Sequence, residues 1–155
     1  MPIVETTEMS SALAPRARLL GFDLGTRTIG LALSDSSFMI ASPLETLART
    51  KFTADAETLR AIIEDKGVGG LVLGLPRNMD GSEGPRAQST RAFANNLTGK
   101  FDLPITFWDE RLTTAEAERV LIDQADMNRK RRGEVIDKMA ASIILQNFMD
   151  FMRSR

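Results

Sequence analysis

The sequence contains no cysteine and no histidine, and these two absences exclude several kinds of active site. Without cysteine, the chain can form neither a disulfide nor a thiolate zinc site. Without histidine, it lacks the most common general base and the Ser-His and Cys-His nucleophile systems. Any catalysis must therefore use carboxylates, Lys, Ser or Thr, or a bound metal ion. The lack of cysteine is also compatible with a reducing cytosol.

Long apolar runs and a net basic charge are missing as well. No stretch approaches the length of a membrane span, and the first residues, MPIVETTEMSS, lack the basic start and apolar stretch of a secretory signal. We therefore expect a cytoplasmic protein with no membrane partner. The net charge of −1 argues against a non-specific DNA coat protein. It leaves a nucleic-acid enzyme open, because local patches decide phosphate binding.

The length and hydropathy pattern indicate one domain. A chain of 155 residues, 43% of them hydrophobic, has the usual size and balance of a single globular core. Residues 1–16 precede the first apolar run, and we predict that they form a flexible tail before a domain over residues 17–155.

The order of the predicted elements gives the fold class. Apolar runs and turn residues predict strands at 19–24, 29–33, 38–47, 68–75 and 104–108. Helical spacing and capping residues predict a helix capped by Thr53, a helix at 85–97, a helix capped by Thr113 and Glu116, and a final helix containing Ile136 to Phe151. A meander followed by alternating helices and strands predicts an α/β fold, with a mixed five-stranded sheet flanked by helices.

Asp23 is the strongest candidate for a functional residue. It stands within LLGFDLG, a run that should be a buried strand. A buried carboxylate is costly unless it is paired or bound to a metal ion. The alternative is that Asp23 caps the following turn by accepting hydrogen bonds from the amides of Gly25 or Thr26.

Glu110 follows the predicted strand 104–108, at the carboxyl end where open α/β sheets hold their sites. Its neighbour Asp109 should point to the opposite sheet face, so only one of the two can share a cleft with Asp23. The alternative for Glu110 is a solvated acid paired with Arg111.

Asp137 lies near the predicted start of the last helix, at the border of its apolar face. That position suits a carboxylate facing a cleft. The alternative is a favourable charge at the amino end of the helix.

Together, these three carboxylates on three elements predict a metal site. Mg²⁺ and Mn²⁺ prefer oxygen ligands, and two such ions can activate a water and stabilise the leaving oxygen of a phosphodiester without histidine. Because like charges raise one another's pKa, we expect the site to be loose or partly protonated without metal.

Basic and turn-forming residues supply candidate phosphate contacts. The loop at 75–82 is rich in Gly, Asn and Asp and could expose amides to a phosphate. A basic run at 129–132 could neutralise several phosphates, although a solvated charged turn is the alternative. The candidate nucleic-acid ligands are Arg77, Asn78, Arg86, Arg111, Arg129, Lys130, Arg131 and Arg132.

Four segments resemble the bacterial YqgF/RuvX family, whose members are described as Holliday junction resolvases or pre-16S ribosomal RNA nucleases. The segments are GFDLGTRTIGLALSD, LVLGLPRNMDGS, WDERLTTAEA and IDKMAASIILQ. The resemblance covers about residues 18–150. It implies an RNase H-like fold, an acidic site of Asp23, Glu110 and Asp137, and a role in maturing the small-subunit rRNA precursor. It favours structured RNA over a DNA junction as the partner, and it leaves the oligomeric state open.

Two other functions remain open on the sequence. FDLGT also looks like the first phosphate loop of the actin, Hsp70 and sugar-kinase group, but those proteins close two such domains around ATP. A non-catalytic RNA-binding or assembly factor is the third possibility. Tight ATP binding would favour the second function. Dispensability of Asp23 would favour the third.

Overall fold

A mixed sheet forms the centre of the molecule. The computed structural model describes residues 3–112 and 129–154, and the side chains of residues 112–135 lie outside that description. The helices and strands are α1 (Met9–Ala12), β1 (Arg18–Leu24), β2 (Thr28–Ser34), β3 (Ala41–Ala48), α2 (Phe52–Lys66), β4 (Val68–Leu75), α3 (Pro85–Thr98), β5 (Ile105–Asp109) and α4 (Arg129–Arg153). The sheet order is β3-β2-β1-β4-β5. β2 is antiparallel to β1 and β3, whereas β4 is parallel to β1 and β5, which confirms the predicted mixed sheet.

Alternating side chains of the central strands build a core on each face of the sheet. On one face, Phe22 clusters with Leu59 of α2 and Phe93 of α3. On the other face, Leu19 clusters with residues of α4 that include Phe148. Asp23 shares the parity of Leu19 and therefore faces α4. The helices cover both faces, and the carboxyl ends of β1, β4 and β5 form one edge of the sheet.

Local side-chain hydrogen bonds displace two predicted boundaries. The third strand begins at Ala41 rather than at residue 38, because the Asp35 carboxylate accepts the amides of Met39 and Ile40 and holds them in a turn. Helix α2 begins at Phe52 without a side-chain cap, so the predicted cap at Thr53 is wrong. Instead, Asp55 accepts hydrogen bonds from the amide and hydroxyl of Thr50, which bend the chain into the first turn.

The N-terminal segment, which we predicted to be a flexible tail, has a few residues in contact with the sheet and its core. Ile3 forms a parallel bridge with Ile105, and the Val4 amide donates to the Ile105 carbonyl at 2.8 Å. Met9 is fully buried in the core that α4 covers. Val4 and Leu13 pack against the same core, and these apolar contacts offset the ordering of a short segment.

Two predicted features fall at or near the boundary of the described residues. The helix capped by Thr113 and Glu116 lies outside them. The basic run at 129–132 lies in α4 rather than in a loop, because α4 extends back to Arg129. Within residues 3–112 and 129–154, every helix is too short or too polar to traverse a lipid bilayer.

Candidate active site

Two of the predicted acids meet at the carboxyl edge of the parallel strands. Asp23 lies next to the last residue of β1, opposite Gly30 of β2. Glu110 follows the last residue of β5 and begins a 3-10 turn, Glu110–Leu112. Only 7% of Glu110 is exposed, and its carboxyl group is hydrogen-bonded to that of Asp23. The parallel arrangement of β1, β4 and β5 therefore brings together two acids that are 87 positions apart.

The two carboxyl groups hold a proton between them. Burial, followed by the charge and hydrogen bond of Asp23, raises the pKa of Glu110 to about 8. Burial also raises the pKa of Asp23, and the hydrogen bond from Glu110 opposes that rise. At neutral pH, Glu110 therefore keeps its proton and donates it to the Asp23 carboxylate. This arrangement matches the protonation that carboxylate repulsion predicts for the metal-free site.

Asp137 approaches the same pair from α4. It lies eight residues after Arg129, about two turns into the helix, so its charge does not serve the helix amino end. The Thr28 hydroxyl donates a hydrogen bond to Asp137 Oδ2. Burial has the largest effect on the pKa of Asp23, and the Glu110 hydrogen bond has the second largest. The negative charge of Asp137 comes third, and it raises the pKa of Asp23. Asp137 is thus near enough for its charge to act on Asp23, although no group of three acids among the described side chains is spaced as a metal site.

Two glycines leave the space in which the acids meet. A Cβ atom at Gly30 would collide with the Asp137 backbone carbonyl, so a larger residue would push α4 away from β2. A Cβ atom at Gly74 would lie 2.8 Å from Glu110 Cγ. Gly74 follows Leu73, the β4 partner of Phe22, and thus flanks Asp23 on the opposite side from Gly30. Neither glycine was among the predicted site residues; their place inside otherwise apolar strands was the available signal.

A family comparison identifies the group to which this site belongs. The model described as "RuvX: Holliday junction resolvase" matches residues 17–151, which include all three acids. The chain belongs to the RuvX family. This membership confirms the resemblance stated from the four sequence segments, and it favours that family over the actin and Hsp70 group.

Relatives of this RuvX chain share most of its length. A protein of Paramagnetospirillum magneticum is 58% identical over 150 residues, covering 97% of this chain and 96% of its own. A Cereibacter sphaeroides protein is 60% identical over 149 residues, covering 96% of this chain and 92% of its own length. Both carry the name "Putative pre-16S rRNA nuclease".

Solved structures share the fold at low sequence identity. The RuvC protein of T. thermophilus, in complex with a Holliday junction substrate, aligns with a TM-score of 0.55 at 10% identity, over 89% of this chain and 97% of its own. The yeast mitochondrial Holliday junction resolvase Ydc2 aligns with a TM-score of 0.52 at 12% identity, over 96% of this chain and 84% of its own. These similarities confirm the RNase H-like fold.

Asp109, the acid next to Glu110 in this RuvX chain, forms a salt bridge with Arg111. The Arg111 guanidinium donates two hydrogen bonds to Asp109 Oδ2, from Nη2 at 2.6 Å and from Nε at 2.9 Å. Although burial opposes the shift, this contact lowers the pKa of Asp109. Arg111 is thus the partner of Asp109 rather than of Glu110. The parity rule selected the acid that joins Asp23, and the alternative, in which Glu110 pairs with Arg111, is wrong.

The loop after β4 uses its polar groups internally. The Asn78 amide donates to the Ser82 carbonyl, the Gly81 amide to the Asn78 carbonyl, and the Ser82 amide to the Asp80 carboxylate. These three amides are therefore not aimed at a phosphate, contrary to the expectation for residues 75–82. Arg77 lies 3.6 Å from Glu83, and its buried Nε has no hydrogen-bond partner among the described residues.

Among the predicted nucleic-acid ligands, Arg86 lies beside the acids. It stands in the first turn of α3, and its Nη2 donates to the Leu24 carbonyl at 3.4 Å. Its positive charge lowers the pKa values of Asp23 and Glu110, against the larger effect of burial, which raises them. Arg86 is therefore a cation whose charge reaches both members of the acid pair.

The acid pair should make folding stability fall as pH rises. Glu110 titrates near pH 8 when folded but near its ordinary value of 4.5 when unfolded, so the folded state binds more protons between those values. The chain has no histidine to mask this change. We expect the free energy of unfolding, measured by urea denaturation without metal, to fall by roughly 1–3 kcal/mol from pH 5 to pH 9.

Glu110→Gln is the matched variant for that titration, because its amide keeps the shape of the neutral acid. The loss of stability above pH 7 should disappear in this variant. An equally steep fall in the variant would show that other groups cause it.

Proposed function

We propose that this chain is a cytoplasmic metal-dependent nuclease that hydrolyses phosphodiester bonds in the small-subunit rRNA precursor. Asp23, Glu110 and Asp137 are its catalytic residues and its metal ligands. The observation that carries this proposal is the hydrogen-bonded pair of Asp23 and Glu110 at the carboxyl edge of the sheet, with the Asp137 charge acting on Asp23. Membership of a nuclease family and the rRNA nuclease names of the relatives support it.

The residues fit a hard divalent cation. All three candidates offer carboxylate oxygens, the ligand type that Mg²⁺ and Mn²⁺ prefer, and the chain contains neither histidine nor cysteine to select zinc. Glu110 is held protonated by burial and by Asp23, which is a costly state for an acid with no cation bound to it. A bound cation would remove that cost and would supply an activated water and a stabilised leaving oxygen.

The chain's own residues hold the site before a substrate arrives. Asp23 is fixed within β1, and Glu110 is fixed at the end of β5. Thr28 fixes the direction of the Asp137 carboxylate through its hydroxyl group. To bind a cation with a full charge, Glu110 must release the proton that it shares with Asp23, so cleavage should rise with pH toward about 8.

Basic residues around this edge would bind the nucleic-acid backbone. Arg86 is placed beside the acids and can contact the phosphate next to the scissile one. Arg77 retains an unused donor, whereas Asn78 and Arg111 have internal partners that they would have to share. Residues 129–132 add four positive charges on the helix that carries Asp137.

Parallel cleavage assays test the proposal. Purified protein should be incubated with a structured RNA end, a DNA duplex and a four-way DNA junction, each with Mn²⁺, with Mg²⁺ and with EDTA. Metal-dependent cleavage of the RNA end alone is the expected result. Symmetrical cleavage of the junction would favour the second candidate, a Holliday junction resolvase, which the family description and the RuvC-like fold support.

The basic run at 129–132 should determine the salt dependence of binding. Replacing its four residues with Ala should weaken binding to the cleaved substrate and reduce the slope of log Kd against log salt by about one for each lost phosphate contact. The measurement is fluorescence anisotropy in EDTA at several salt concentrations. A slope equal to that of the wild type would show that these four residues are solvated and contact no phosphate.

A further inference from the structure

Two neighbouring cavities lie along the exposed side of α3 and share Ser89 as a common wall. The first, of about 190 Å³, is bounded by the end of β1, the turn after it and the first turn of α3, including Thr26 and Arg86. The second, of about 180 Å³, lies between the start of α2 and the middle of α3. We define the α3 groove by six of the polar residues that line these cavities: Thr26, Arg49, Thr50, Arg86, Ser89 and Asn96.

Arg86 links the α3 groove to the acid cluster. Arg86 forms one wall of its first cavity, and the charge of the same guanidinium reaches Asp23 and Glu110. Leu24, the neighbour of Asp23, forms another part of that wall. A strand whose phosphate lies at the acids would therefore meet the groove as it leaves the edge of the sheet.

The groove lining suits a polyanion with flat bases. Thr26, Thr50 and Ser89 bring hydroxyl groups, Asn96 brings an amide, and Arg49 brings a cation. Among the described residues of the lining, Asp55 is the one acid, and its oxygens accept the Thr50 amide and hydroxyl. The two arginines of the lining therefore outnumber its acid, whose lone pairs are already engaged.

Neutral groups hold Arg49 in place. Its Nη1 donates to the Gly25 carbonyl at 2.6 Å, its amide donates to the Arg27 carbonyl, and its guanidinium lies 5.5 Å from the Phe93 ring centroid. These contacts join the turn after β1 to α3. Because the Phe93 ring is buried, the group that this arrangement presents to the open space is the positioned Arg49 cation, which can contact the backbone of a single strand.

We propose that the α3 groove binds a single-stranded flank of the nucleic acid whose scissile phosphate lies at Asp23. This proposal rests on the proposed nuclease function and adds a substrate feature to it. Arg86 and Asn96 are ten residues apart, about 15 Å along a helix. That length accommodates roughly four nucleotides of a stacked strand, or fewer of an extended one.

Adjacent residues of α3 provide matched variants. Ser89→Glu adds a negative charge to the shared wall of the cavities, whereas Gln88→Glu adds the same charge to an exposed position outside the lining. Asn96→Asp and Asn95→Asp form a second pair of the same kind, since only Asn96 lines the groove. Thermal unfolding of each variant shows whether its fold is preserved.

The test measures the affinity for a labelled substrate with a single-stranded flank and for the same substrate with that flank removed. Both are measured in EDTA, and each substrate is made as RNA and as DNA. Ser89→Glu and Asn96→Asp should weaken binding of the flanked substrate by about tenfold and leave that of the trimmed one unchanged. Gln88→Glu and Asn95→Asp should behave like the wild type. Equal affinities within each pair would overturn the groove proposal, whether or not the protein cleaves RNA. Absence of metal-dependent cleavage with the pair difference intact would instead overturn the nuclease proposal.

Discussion

Asp23→Asn should abolish Mn²⁺- or Mg²⁺-dependent cleavage and leave the protein folded. Asp23 touches Glu110 and lies within the field of Asp137, so it is the residue that joins the two other acids. Loss of an outer-shell partner of a metal typically costs 10–100-fold, so loss of a residue that we propose as a direct ligand should reduce the cleavage rate by at least roughly 100-fold. The measurement is the initial cleavage rate at saturating metal, with circular dichroism to verify the fold.

Asp109→Asn is the control for this variant. It makes the same chemical change at an acid that pairs with Arg111 and whose charge has only a minor effect on the pKa of Glu110. Its cleavage rate should stay within a few-fold of the wild type, since an exposed ion pair contributes about 1 kcal/mol or less. Undiminished cleavage by Asp23→Asn would remove the acid cluster from the mechanism, even if the protein proved to be a nuclease.

Gly30→Ala should damage stability and activity together. The added methyl group would meet the backbone of α4 at Asp137, and a helix backbone cannot rotate aside as a side chain can. Overpacking of a core costs roughly 1–3 kcal/mol, and contact with backbone belongs at or above the upper end of that range. The urea midpoint should fall accordingly. The cleavage rate should fall further than the folded fraction does, because Asp137 moves with its helix.

Gly99→Ala provides the comparison. Gly99 has a φ of −78°, and the nearest atom to an added methyl carbon would be the Asn96 carbonyl oxygen at 3.5 Å, so alanine fits there. Its urea midpoint should remain unchanged or rise slightly, by about 1 kcal/mol or less. If Gly30→Ala were equally harmless, the close approach of β2 and α4 would not be a requirement of the fold.

The fold was predictable where apolar periodicity was continuous. Strand Val68–Leu75 agrees with its predicted bounds because both of its faces are buried, which leaves an unbroken apolar run between Gly67 and Pro76. The two placements that failed, the start of β3 and the start of α2, depend on the Asp35 and Asp55 side chains bonding to amides up to five residues away. Hydropathy does not encode such bonds.

The site was predictable residue by residue but not as an arrangement. An acid inside a buried run marked Asp23, and strand parity separated Glu110 from Asp109. The roles of Gly30 and Gly74 depend on which strand neighbours which, since each makes room for an acid supplied by another element. The α3 groove has the same origin: Arg49 and Ser89 are 40 positions apart and become neighbours only in the folded chain.

The burial of Met9 has a consequence for the order in which the protein folds. The segment at 3–12 is synthesised well before its partners, because its contacts are with Ile105 and with the core that contains Phe148. Synthesis proceeds at about 5–20 residues per second, so this segment waits several seconds for those partners. The core on the α4 face can therefore close only after α4 has been made, and until then the apolar residues that Met9 and Phe148 cover together stay exposed.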